Sequence, residues 1–136
     1  MTKIPDNLRY TKTHEWFTEE GGVVTVGISD YAQSQLTDIV YIDLPGVGSK
    51  KKAGETLLTI ESVKSAEDVY SPVDGEVVQI NSKLSDSPEE VNKDCYSNWM
   101  VKLKKTGKFV DSMDAAQYRK FIGSYTLQNM SMWRTT

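Results

Sequence analysis

Between Ala53 and Ser82 a single residue, Lys64, is positively charged, and six carboxylates accompany it: Glu55, Glu61, Glu67, Asp68, Asp74 and Glu76. Its immediate neighbours are slender (Ser62, Val63, Ser65, Ala66), so the ε-amine is sterically open. Such an amine suits covalent modification, because a modifying enzyme needs access and a charge pattern that marks out one lysine among the thirteen in the chain. Schiff-base chemistry would need the reverse, a desolvated pocket that draws the amine well below its ordinary value of about 10.4. An exposed turn lysine also commonly serves only as a solubilising charge, and position alone does not separate these readings. Cys95 and His14 are the single cysteine and the single histidine. An intramolecular disulfide has no second thiol, and a Cys/His zinc site has too few ligands. Around Cys95 the run KDCYSNWM carries no nucleophile signature, which leaves packing or a turn contact as the expected role of both residues.

The elements that must position Lys64 are short strands. Val24, Val26 and Ile28 alternate with Val23, Thr25 and Gly27, and Val40, Ile42 and Leu44 alternate with Ile39, Tyr41 and Asp43. Leu58 and Ile60 repeat the period of two, as do Val78 and Ile80. Turn signals at Glu20-Gly21-Gly22, Pro45-Gly46, Ala53-Gly54 and Asp74-Gly75 separate the runs, which predicts a mainly β sandwich or barrel. The stretches on either side of Lys64 each hold a Gly-Glu step before an apolar run, Gly54-Glu55 and Gly75-Glu76, and read as two arms of a hairpin with Lys64 at its turn. Ser29 is placed to cap a short helix over 30–36, and Asp111 or Ser112 to cap another that stops near Gly123. Segment 86–92 reads as a loop or one helical turn, and Lys50–Lys52 as a solvated turn. The stretch 125–136 has no sustained period; Met130, Met132 and Trp133 there are candidates for docking onto the body.

A chain of 136 residues suits one domain, with 38% hydrophobic and 26% charged residues. The net charge of −3 gives nucleic-acid binding little electrostatic support. No apolar run is long enough for a membrane span, and MTKIPDNLRY lacks the apolar core of a secretory signal.

ESVKSA at 61–66 closely resembles the lipoyl-attachment motif of glycine cleavage H proteins, and VYSPVDGEVVQIN at 69–81 resembles the return strand of that family. YTKTHEW at 10–16, VGISDYAQ at 26–33, DIVYIDLPGVG at 38–48 and LSDSPEEVNKD at 84–94 extend the match, and DAAQYRKFI at 114–122 is similar to its C-terminal helix. Biotin carriers typically have Met-Lys-Met at the tip and lipoyl domains of 2-oxoacid dehydrogenases Asp-Lys-Ala; Val63-Lys64-Ser65 is neither. The chain departs from the family pattern at Thr37, where glycine is common, and at Cys95 and Ser97, where proline and glycine are usual.

The resemblance implies a flattened barrel-sandwich hybrid of the lipoyl/biotinyl type, with a carrier domain over 1–124 and a tail over 125–136. It implies lipoate amide-linked to Lys64 and a non-catalytic carrier subunit of a multienzyme system. In that family the arm takes an aminomethyl group from a pyridoxal-phosphate-dependent glycine decarboxylase to an aminomethyltransferase, and a dihydrolipoyl dehydrogenase then reoxidises it. An aminomethyl thioether is cationic and hydrolyses readily, so a sheltering cleft needs oxygen acceptors. By resemblance these are Thr13, Glu15 and Asp68, while Glu61 is assigned to recognition by the lipoate-attaching enzyme. A lipoyl relay to other lipoyl proteins and an unmodified interaction domain are the competing readings. The expected state is a monomer that contacts neither nucleic acid nor membrane. Its expected compartment is the bacterial cytoplasm, or the mitochondrial matrix if the chain is eukaryotic and processed.

Overall fold

The computed structural model describes residues 2–123; the expectations for 125–136 lie outside them. Among the described residues nine strands form two antiparallel sheets. The larger has the order β1-β2-β3-β9-β8-β5, built from Arg9–Tyr10, Glu15–Glu20, Val23–Ile28, Val101–Phe109, Val73–Ile80 and Lys50–Lys51. The smaller has the order β4-β6-β7, built from Ile39–Asp43, Thr56–Ser62 and Ala66–Tyr70. The expected mainly β sandwich therefore forms, with sheets that stay open. One apolar core runs through it, including Val24, Val26, Ile42, Ile60, Val77 and Leu103.

Lys64 does sit at a hairpin turn, but the return arm is β7, which ends at Tyr70. Gly75-Glu76 instead belongs to β8, which pairs with β9 and β5 in the other sheet. Two further expectations are corrected by register shifts. A β-bulge between Ile39 and Tyr41 breaks the alternation of β4, so Ile39 and Ile42 are buried while Val40 and Tyr41 face solvent. In β8 a shift between Val77 and Gln79 turns Val77, not Val78, into the core. Lys50–Lys51 is not a turn but an edge strand, where lysines discourage pairing with other chains.

Helix α1 (Asp30–Leu36) begins as expected: the Ser29 hydroxyl accepts the Ala32 N–H at 3.2 Å. Segment 83–93 contains two one-turn helices, α2 (Lys83–Asp86) and α3 (Glu90–Lys93). The last helix, α4, occupies 115–123 of the described residues, and its cap is Asp114 rather than Asp111 or Ser112. Asp114 accepts the Gln117 N–H at 2.8 Å while the Gln117 side chain accepts the Asp114 N–H at 2.9 Å, a reciprocal capping box. Ala115, Tyr118 and Ile122 are its buried face, joined to Tyr10, Trp16 and Tyr31 in a second apolar cluster. Trp16 packs flat against β3: a Cβ on Gly27 would stand 2.6 Å from its ring, so only glycine fits there. Among the described residues no helix is long and apolar enough to cross a membrane.

Candidate functional site

Three residues, Val63, Lys64 and Ser65, join β6 to β7. Ser62 ties this turn. Its hydroxyl accepts the N–H groups of Lys64 (3.1 Å) and Ser65 (3.0 Å) and donates to the Ser65 carbonyl (3.1 Å). Its own N–H donates to the same carbonyl at 2.8 Å. A serine that bonds its own turn in this way holds a short loop without needing a buried side chain. The turn is also pinned beside β4, because the Val63 N–H donates at 3.0 Å to the carbonyl of Asp38, the residue before that strand. Lys64 is therefore exposed on a fixed backbone.

An open cleft of about 500 Å³ begins at Lys64 and Ser65 and runs between α1, the β2–β3 strands and the β6–β7 hairpin. Ile28, Leu36, Ile60 and Val69 supply apolar wall, while Thr13, Glu15, Glu67 and Asp68 supply oxygen. Glu15 is the unusual member, a carboxylate with 1% of its surface exposed. Burial pushes its carboxyl up, against the pull of its hydrogen bonds. The Thr11 and Thr13 hydroxyls both donate to Oε1, and the Tyr70 N–H donates to Oε2 at 3.2 Å. A carboxylate has about four acceptor positions, so these three donors leave capacity for one more. Burying such a group costs free energy unless something rewards its charge, and a cationic visitor would.

Thr13, Glu15, Asp68 and Lys64 thus line one cleft, although they come from both sheets. Asp68 stands opposite Thr59, whose hydroxyl donates to its Oδ1 at 3.1 Å. Glu61 does not line the cleft; it stands opposite Tyr41 on β4 and Ala66 on β7. Glu67, not singled out from the sequence, lines the cleft and stands opposite Ile60. The alternation of β7 was the available signal, once its pairing with β6 is known.

His14 also lines the cleft, at a left-handed φ of 73°. Its Nδ1 lies 2.8 Å from the Tyr118 hydroxyl, which lies 2.7 Å from the Ser29 hydroxyl that caps α1. Tyr118 stacks on Tyr10 with ring centroids 4.5 Å apart. Burial lowers the His14 imidazole to about 4, so it is neutral at ordinary pH. Cys95 is buried in the main core, and burial pushes its thiol up to about 12, which removes the thiolate that a nucleophile needs. Among the described residues no group of three or more His, Cys, Asp or Glu is arranged to hold a metal ion.

Residues 8–125 match the family model described as glycine cleavage H-protein. A probable glycine cleavage system H protein of Thermoplasma volcanium is 61% identical over 124 residues, covering 90% of this chain and 99% of that protein. A glycine cleavage system H protein of Burkholderia ambifaria is 50% identical over 125 residues, covering 90% of this chain and 99% of its own length. The crystal structure of a glycine cleavage system H protein from Mycobacterium marinum superposes with a TM-score of 0.83 at 32% identity, over 88% of this chain and 99% of that one. With the match spanning the turn, the cleft and α4, the chain belongs to the glycine cleavage H-protein family, the non-catalytic carrier subunits of that system.

Proposed function

We propose that this chain carries lipoate in amide linkage to Lys64 Nζ and shuttles the aminomethyl group of glycine within a glycine cleavage system. The observation that carries the reading is the position of Lys64, exposed on a tied turn at the mouth of a cleft that contains a buried carboxylate. The cleft suits such an arm: apolar walls for a hydrocarbon chain, and oxygen acceptors for a cationic cargo. Attachment needs an activated acyl donor, such as the mixed anhydride of lipoate with AMP. Lys64 Nζ loses a proton to solvent and forms the C–N bond, and the C–O bond to AMP breaks with its electron pair leaving on phosphate.

Once attached, lipoate supplies the redox and group-transfer chemistry. The chain itself supplies position and shelter. Glu15 receives the ammonium of the cargo through its remaining acceptor capacity, with the Thr13 hydroxyl holding the carboxylate in place. Asp68 adds negative charge in the same cleft, and Glu67 does so beside it. Glu61, outside the cleft, serves recognition by the lipoate-attaching enzyme. The partners of this cycle are the pyridoxal-phosphate-dependent decarboxylase, the aminomethyltransferase and dihydrolipoyl dehydrogenase. A buried acceptor favours this reading over a simple lipoyl relay, which has no cationic cargo to hold.

Lys64→Arg tests the attachment. Arginine keeps the charge and the exposed turn but does not form the lipoyl amide. Intact mass should show one lipoyl group on the parent and none on the variant, with unchanged thermal unfolding. A lipoyl group on the variant would refute the assignment.

A further inference from the structure

Most of the exposed large apolar side chains of the described residues gather beside one turn. Val63 is 68% exposed, Val40 54% and Tyr41 47%. Val63 precedes Lys64 in the turn, and its N–H bonds the carbonyl of Asp38, next to β4. Tyr41 stands opposite Glu61, three residues before Lys64. The exposure of Val40 and Tyr41 is built in by the bulge of β4, which turns two consecutive residues outward while Ile39 and Ile42 stay in the core. A regular strand would have shown only one of them, and bulges commonly re-aim side chains where a surface is used.

The same face is acidic. Tyr41, Glu61 and Ala66 stand opposite one another across the sheet, and so do Asp43, Thr59 and Asp68, the last on edge strand β7, where it borders both this face and the cleft. No lysine or arginine occurs in β4, β6 or β7. We propose that this outer sheet face, with Val40, Tyr41 and Val63 as its apolar centre, docks the enzyme that acylates Lys64, through an apolar patch rimmed by basic residues on that enzyme. The inference rests on the attachment reading above and names the surface that recognition uses.

Reach selects this occupant. Before attachment the amine extends only one lysine side chain from the turn, so an acylating active site must close over Val63 and the adjoining strand. Enzymes that use the attached arm meet its far end and have no such need. The acids give encounter rate and orientation, and the apolar centre gives residence time.

The test uses the apo chain, a lipoate–protein ligase, lipoate and ATP, with initial rates followed by intact mass. The combined variant Val40→Thr, Tyr41→Ser, Val63→Thr should raise KM for the chain about tenfold or more and leave kcat within about twofold, because the lost contacts are uniform binding. Tyr41→Phe alone should stay close to the parent. After complete lipoylation, the triple variant should be reoxidised by dihydrolipoyl dehydrogenase at a near-parental rate. An unchanged KM overturns the proposal, and so does an equal loss with the dehydrogenase, which would make the face common to all users of the arm. If the triple variant does not fold, Tyr41→Ser alone carries the same expectation in direction. A parent that stays unmodified, while the ligase acylates a control lipoyl domain, overturns the attachment reading itself.

Discussion

Thr37 carries a local conformational cost. It follows α1 with φ 63° and ψ −142°, close to a region that essentially only glycine visits. A β-branched residue there is a genuine outlier, and such strain costs on the order of 1–3 kcal/mol. Thr37→Gly removes the strain. Against this, glycine adds unfolded-state freedom worth about 0.4–1 kcal/mol. The substitution also deletes the hydrogen bond from the Thr37 hydroxyl to the Leu36 carbonyl at 2.5 Å, which at an exposed site contributes about 0.5 kcal/mol. Midrange values leave a net stabilisation of roughly 1 kcal/mol, or about 3–5 °C in Tm for a domain of this size. The backbone contacts of the joint survive, because the Thr37 carbonyl still accepts from Asn92 Nδ2 at 2.7 Å and Asp38 still holds Val63. Lipoylation should therefore be unaffected. Thr37→Ala is the control: it deletes the hydroxyl but keeps the Cβ, so it should be no more stable than the parent. Thermal and urea unfolding of the three proteins decide the matter. A glycine variant that melts at or below the parent, or an alanine variant that gains as much, would refute the strain argument.

Two further predictions concern the cleft. Glu15→Gln with Asp68→Asn should leave lipoylation and dithiol reoxidation nearly intact but shorten the lifetime of the cationic cargo, read as faster formaldehyde release without the folate-dependent partner; a parental rate in a folded variant would remove these carboxylates from the role. His14 titrates at about 4 when folded against about 6.5 when unfolded, so below pH 6.5 the unfolded chain binds the extra proton and the fold loses stability as pH falls toward 4. His14→Asn, which tolerates the left-handed φ, should remove a loss of about 1–3 kcal/mol across that window after discounting for partial exposure, and parallel pH–stability curves for parent and variant would contradict the assigned burial cost.

What could be read from the sequence was whatever depends on local chemistry. Ser29 announces α1 by residue type alone, and the acid-flanked Lys64 between slender residues announces an open turn. What escaped depends on register. The bulges in β4 and β8 each shift a pattern by one residue, which exchanges core and solvent faces and puts Val77 in the place expected of Val78. Gly75-Glu76 mimics Gly54-Glu55 and so reads as the return strand of the hairpin, whereas β7 is short and nearly all exposed, with one buried residue, Val69. Asp111, Ser112 and Asp114 are all competent caps for α4 by residue type, and only Asp114 has its reciprocal glutamine at the right spacing. Thr37 was visible as a departure from the family pattern, but its φ was not.

The open sandwich resolves two demands that oppose each other at one site. On the proposed function, Lys64 has to stand in solvent to be acylated and to swing, while a cationic cargo has to be held where water is scarce. A strand hairpin whose turn is tied by its own serine meets the first demand with backbone bonds alone, so nothing near the tip needs burial. The second demand is met from the other sheet. Glu15 lies at the start of β2 opposite Ile28, in backbone that also carries core residues such as Phe17, so its carboxylate is buried by a frame that does not move with the arm. Tyr70, at the end of β7, donates its N–H to that carboxylate and so couples the base of the hairpin to the cleft floor. Because no strand pairing joins the two sheets among the described residues, β7 keeps a free edge, and the cleft lined by Lys64, Asp68 and Glu15 stays open.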